Sequence, residues 1–218
     1  MKIAILGGSG RTGLLVIKEG LERGHELFAL VRKPGKIDVQ SEHLHLIEGV
    51  PTSLDNVRET LKGTEAVVIA LNINRKSDLP WAKLTSPEDL ISASVKNAIR
   101  VMQEEGITRI VSISAYGVGD TRASINSLGR LFLFHTNIKY AYVDHERQEK
   151  LISASDLDWI ILRPTFLKSG EAVKEIRVSI NGQPKPRGSI SRRNLARFIL
   201  NCVETGNYSR QFLTLSEP

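Results

Sequence analysis

A chain of 218 residues, 41% hydrophobic and 25% charged, has the composition of a single soluble domain long enough to bury a substantial core. One cysteine, Cys202, excludes an intrachain disulfide framework and a Cys-rich zinc site, and is the pattern expected of a reducing, cytoplasmic setting. The net charge of +6 falls wholly between Lys168 and Arg210, without the interleaved aromatics or recognition helix of a nucleic-acid reader, so a plain basic surface or a small anionic ligand is expected there.

The apolar run at the N-terminus, Met1 with Ile3 to Leu6, is too short for a signal-peptide core, and no segment approaches the ~20 apolar residues of a membrane span. "KIAIL" (2–6) reads as a central parallel strand covered on both faces. A helix carrying Leu14, Leu15, Ile17 and Leu21 follows and stops at Gly24. "ELFALVR" (26–32) and "LHLIEG" (44–49) are the next strands. Ser53 caps a helix through Leu61, Gly63 closes it, and "EAVVIAL" (65–71) is strand four.

Ser86 is the expected N-cap of a long helix, with Pro87 at its first position and Glu88 and Asp89 at its positive end. Ile91, Val95, Ala98 and Met102 form its apolar stripe, and Gly106 stops it. "RIVSIS" (109–114) is strand five. Residues 115–138 read as loose chain, followed by a helix over 143–154 and a strand "LDWIILRP" (157–164). Beyond it lie a strand over 175–180, a turn at Asn181-Gly182, a helix from Ser191 that buries Cys202, and a last strand over 211–215.

Alternating strands and helices predict an α/β fold, a Rossmann-type doubly wound parallel sheet in one domain. Its core spans about 1–164, and the segment 165–218 is expected to form a small substrate cap over the carboxyl edge, where such folds bind ligands.

Gly7, Gly10 and Gly13 sit at the first strand–helix junction. There a Gly-x-x-Gly-x-x-Gly turn gives a tight bend, close approach to a pyrophosphate and close helix packing, with backbone N–H groups and the positive helix end on the phosphates. No Gly-Lys-Ser/Thr follows, which excludes a P-loop. An NAD site places an Asp or Glu at the end of strand two; this chain has Val31-Arg32-Lys33. A carboxylate there would repel a 2′-phosphate, whereas a guanidinium pairs with one. NADP(H) is therefore the expected cofactor, with Arg11 and Lys36 adding to the positive field.

Together "GGSGRTG", "LVRKPGK", "VVIAL", "RIVSISA", "DHERQEKLISASDLDW" and "ILRP" resemble the atypical short-chain dehydrogenase/reductase group of NmrA-like NAD(P)-binding proteins over essentially the whole chain. Within that group the chain is most similar to the biliverdin-IX-beta reductases, also called NADPH-flavin reductases. The resemblance implies that Gly7, Gly8, Ser9, Gly10, Arg11 and Thr12 hold the pyrophosphate, with Arg32 and Lys36 near the 2′-phosphate. Leu71 and Asn72 would pass beside the cofactor, and Ser112, Ile113 and Ser114 would border the nicotinamide. His145 would lie near the cofactor, and Pro164 and Thr165 would form the lip of the pocket. Ser114 matches a serine that assists substrate reduction.

Two positions depart from the family pattern. Val50 and Pro51 follow Gly49 where an acid is common, and Phe166 stands where the reductases carry a histidine. The Tyr-x-x-x-Lys proton donor of related alcohol dehydrogenases is also missing. Four residues after Tyr116, Tyr140, Tyr142 and Tyr208 stand Asp120, Asp144, Glu146 and Phe212.

Three functional readings follow. The first is an NADPH-dependent reductase of flavin (FMN or FAD) or a similar planar, anionic acceptor, working as a monomer or dimer without nucleic acid or membrane. The second is a non-catalytic NADP(H) sensor that reports to a partner. The third is a reductase or isomerase of another small metabolite such as a quinone.

Overall fold

The computed structural model describes residues 1–170 and 172–218. In chain order the elements are β1 (Lys2–Leu6), α1 (Arg11–Glu22), β2 (Glu26–Val31), β3 (Leu44–Glu48), α2 (Leu54–Leu61), β4 (Ala66–Ile69), α3 (Leu90–Glu105) and β5 (Arg109–Ile113). Then come α4 (Ser127–Phe134), α5 (Ile138–Ser153), β6 (Asp158–Pro164), β7 (Phe166–Lys168), β8 (Arg177–Ser179), β9 (Ser189–Ser191), α6 (Arg192–Thr205) and β10 (Gln211–Ser216). Short 3-10 segments cover Pro34–Lys36 and Gly119–Ser124.

The main sheet runs β3-β2-β1-β4-β5-β6-β10-β8, parallel throughout except for the antiparallel edge strand β8. The strand order reverses between β1 and β4, so their carboxyl ends open a crevice at the switch point. Both faces of the sheet are apolar because each strand is covered twice. Ile3, Ile5, Val68 and Val111 face one layer with α1 and α6; Ala4, Leu6, Val67 and Ile110 face the other with α2 and α3. Cys202 sits in the first layer, 2% exposed, and burial pushes its thiol up to about 12, so it packs as a small hydrophobe.

The long helix starts later than its local signals imply. Its N-cap is Asp89, not Ser86, and the Asp89 side chain makes no capping bond. The Ser86 hydroxyl instead accepts the Asn74 N–H at 2.9 Å and so ties down the loop before the helix. The first free N–H groups of α3 are capped from another element. Asp144 of α5, fully buried, accepts from Ile91 N at 2.7 Å, Ser92 N at 3.3 Å and the Ser92 hydroxyl at 2.5 Å. A carboxylate at the positive helix end is favoured, and it also joins α3 to α5.

Three further segments differ from expectation. The stretch 115–138 holds a 3-10 turn and α4, an eight-residue helix with no buried residue. The helix read as 143–154 begins a turn and a half earlier, at Ile138. The segment 165–218 divides between two places: α6 and β10 complete the central layers, while β7, pairing with β9, runs beside the cleft. Leu213 and Leu215 are fully buried, which draws β10 between β6 and β8.

Candidate active site

The crevice at the carboxyl ends of β1, β4, β5 and β6 is a cleft of about 1360 Å³, more than a typical small-ligand pocket of ~300–1,000 Å³. Its floor begins at the glycine turn. Gly7 has φ +98°, and a Cβ there would lie 2.5 Å from the Ala70 carbonyl oxygen. At Gly13 a Cβ would come within 2.1 Å of the Gly7 oxygen, so helix and turn touch backbone to backbone. Gly10 is the N-cap of α1 and makes no side-chain capping bond, and the first turn carries no acid. The unpaired N–H groups of that turn therefore face the cleft beside Gly7, Ser9, Gly10, Arg11 and Thr12. A cradle that a single Cβ would fill, with free donors at a positive helix end, fits a pyrophosphate.

Most sequence-derived positions converge on this cleft. Arg32 lines it from the end of β2, Leu71 and Asn72 from the end of β4, and Ile113 and Ser114 from the end of β5. His145 reaches it from α5, and Pro164 and Thr165 from the end of β6. Three positions are not part of the wall. Gly8 points inward, where a Cβ would meet Ile17 and Ala29. Lys36 is exposed in its 3-10 turn, one turn beyond Arg32. Ser112 lies two residues deeper than Ser114 and is fully buried, its hydroxyl donating to Gln148 Oε1 at 3.1 Å.

Past the end of β3 the wall is apolar at Val50, where an acid is common in the family; its N–H donates to Asn56 Oδ1 at 3.1 Å. Phe166 lines the cleft and is 79% exposed. The floor under Ser114 is ionic. The Ser114 hydroxyl donates to Glu149 Oε1 at 2.6 Å, and Arg163 donates to both oxygens of the same carboxylate at 2.9 and 2.8 Å. His145 is 5% exposed, and burial lowers its pKa to about 4, so the imidazole is neutral at physiological pH.

Reading the residues in order misses the far bank of the cleft. Asp78, from the loop after β4, binds the Arg11 guanidinium through two bonds of 3.0 and 3.1 Å. Arg192 lines the same cleft, and burial, followed by the charge of Arg11, pushes it below the usual guanidinium value. Lys168 of β7 lies on the same bank and bonds Glu217 at 2.7 Å. Burial alone would raise the Glu217 carboxyl, but bonds from Lys168, Ser191 and Asn194 hold it down at about 2. The only sequence signal for this bank was the excess of basic residues after Lys168.

This is a Rossmann-type nucleotide site: a glycine turn, a helix N-terminus and a switch-point crevice in one place. Residues 7–206 match the NAD(P)H-binding family, and the chain belongs to it. A curated relative from Schizosaccharomyces pombe, UPF0659 protein C216.03, is 26% identical over 90% of this chain and 81% of its own length. Among solved structures, the anaerobilin reductase ChuY of Escherichia coli O157:H7 superposes with a TM-score of 0.82 at 16% identity, covering 100% of this chain and 98% of that one. A short-chain dehydrogenase/reductase of Veillonella parvula, solved in complex with NADP, gives a TM-score of 0.78 at 16% identity, covering 100% and 94%. No helix among the described residues is long and apolar enough to cross a membrane.

Proposed function

We propose that the protein is a cytoplasmic NADPH-dependent oxidoreductase that passes hydride to a flavin or a similar flat, anionic acceptor. The observation that carries this reading is the continuity of the cleft. One continuous lining holds the glycine turn with Arg32, the pair Ser114 and His145, and Lys168 and Arg192. Its volume of about 1360 Å³ is room for a dinucleotide and a second flat molecule over its reactive ring. When bound, the cofactor supplies the hydride. The chain's task is to hold the acceptor in register and keep competing geometries out. Arg32 would face the 2′-phosphate, Arg11, Thr12 and Arg192 would flank the pyrophosphate, and Lys168 would draw the acceptor's anionic group. The reducing activity named for ChuY supports a reductase on this scaffold.

Purified protein is expected to oxidise NADPH in the presence of FMN faster than the mixture without protein, and an uncatalysed rate overturns the reading. In Arg32→Ala the affinity for NADPH is expected to fall about tenfold or more, the worth of one charge-assisted bond, while that for NADH changes little. Equal losses for both cofactors would remove Arg32 from the 2′-phosphate. Asp78→Ala frees Arg11, so NADPH affinity is expected to rise by up to about fivefold. The gain is modest because an exposed pair contributes at most about 1 kcal/mol. Fluorescence titration measures both variants.

A second reading, an NADP(H) sensor, is favoured by an unpartnered apolar surface beside the cleft: Leu79, Trp81, Leu128 and Leu131 are each more than half exposed. Cofactor binding without FMN-dependent turnover would select it.

A further inference from the structure

Behind the cleft wall, two adjacent residues of α5 settle which groups the wall can offer. Gln148 is fully buried. Its Oε1 accepts from the Ser112 hydroxyl at 3.1 Å, and its Nε2 donates to the Ile113 carbonyl at 2.8 Å. The amide cannot be turned over, because Oε1 would then oppose a carbonyl oxygen. The same Nε2 lies 2.8 Å from His145 Nδ1. An amide nitrogen has only protons to give, so Nδ1 must accept, and the proton of the neutral ring is on Nε2. Nε2 has no protein partner among the described residues, and His145 forms part of the cleft wall.

At Ser114, in the same cleft wall, the opposite polarity is imposed. The Ser114 hydroxyl has one proton, which goes to Glu149 at 2.6 Å. Glu149 is 4% exposed and clamped by Arg163, so it accepts and does not give the proton back. What Ser114 presents to the cleft is oxygen lone pairs.

We propose that Gln148 and Glu149 are positioning residues that make His145 a fixed Nε2–H donor and Ser114 a fixed acceptor, a pair that reads a carbonyl beside an N–H. That edge belongs to an amide, lactam or imide, so the ligand is the carboxamide of the nicotinamide or the corresponding edge of the acceptor. The inference rests on the reading of this cleft as the hydride-transfer site, but its first test does not. Ser114 then orients and does not protonate: with its hydrogen committed to Glu149, the proton that completes acceptor reduction comes from solvent.

Imidazole nitrogen NMR, with the His145 signals assigned by difference against His145→Asn, tests the polarity directly. Near neutral pH the native protein should show Nε2 protonated and Nδ1 bare. Gln148→Glu puts an acceptor opposite Nδ1 and should move a proton there, giving the other tautomer or the cation. Protonated Nδ1 in the native protein, or an unchanged pattern in Gln148→Glu, overturns the assignment. If that variant does not fold, Gln148→Met should give mixed tautomers, and a single Nε2–H form there overturns it equally.

Calorimetry with NADP and its 3-acetylpyridine analogue, which keeps the carbonyl but has no N–H, separates the two ligand sources. If the carboxamide is the edge, the analogue binds about tenfold more weakly to the native protein and equally to Ser114→Ala. If the acceptor is the edge, both bind alike and Ser114→Ala raises the KM for FMN about tenfold with NADPH affinity unchanged. No difference in either arm overturns the amide edge. Absence of FMN turnover alone removes the hydride-transfer reading and leaves the tautomer result standing.

Discussion

Gly13→Ala is expected to lower NADPH affinity by about 100-fold or more and to cost about 1–3 kcal/mol of stability. The added methyl would sit 2.1 Å from the Gly7 carbonyl oxygen, 2.9 Å from its carbon and 3.0 Å from Gly8 Cα. All three are backbone atoms, so no side chain can swing aside, and either α1 or the turn must shift. Such a shift misaims the free N–H groups at the start of α1. Losing two charge-assisted bonds of about 1.5 kcal/mol each is about a hundredfold in affinity. Gly24→Ala is the matched control. Gly24 has φ +76° but nothing within 4 Å of its Cβ position, so it should lose about 1 kcal/mol of stability and bind cofactor normally. A Gly13→Ala protein that binds NADPH like the native one would show that the contact between turn and helix does not shape the cradle.

Arg163→Met is expected to cost about 3–5 kcal/mol of stability. Arg163 and Glu149 have side chains only 4% and 5% exposed, and their bond is bidentate. The guanidinium also reaches Asp120 and lies 4.4 Å from the Phe212 ring centroid. Removing it strands the Glu149 charge with, among the described residues, only the Ser114 hydroxyl as a partner. At about 2–4 °C per kcal/mol for a chain of this size, the melting temperature should fall by about 10 °C. The double variant Arg163→Met/Glu149→Leu should recover more than half of that loss, because the stranded charge is gone. A single variant within about 1 kcal/mol of native in urea unfolding would show that water reaches Glu149.

Where a signal was local, it read through to the fold. The strands β1, β4, β5 and β6 are short apolar runs because both sheet faces are covered, and that pattern is complete within each segment. The Gly7–Gly13 spacing is likewise a local steric fact. Arg32 stands out because the end of β2 is a position that follows directly from the motif.

Signals failed where a distant group supplied what the neighbours normally do. Ser86-Pro87 is a fair helix start on propensity, yet Asp144 caps α3 from 53 residues away. The eight residues of α4 bury nothing, so they carry no stripe to read. Asp78 carries no motif and is known only by where the loop after β4 brings it.

What the sequence determined by itself is the architecture and the tight glycine turn at the first strand–helix junction, since both depend on short-range patterns of volume, apolarity and backbone freedom. What only the tertiary structure decided is the chemical character of the cleft above it. Ser114 is an acceptor because Glu149 lies beneath it, and His145 is a donor because Gln148 holds its other nitrogen. A side chain's type states which protons and lone pairs it owns. Which of them face a ligand depends on the partners that folding has already assigned.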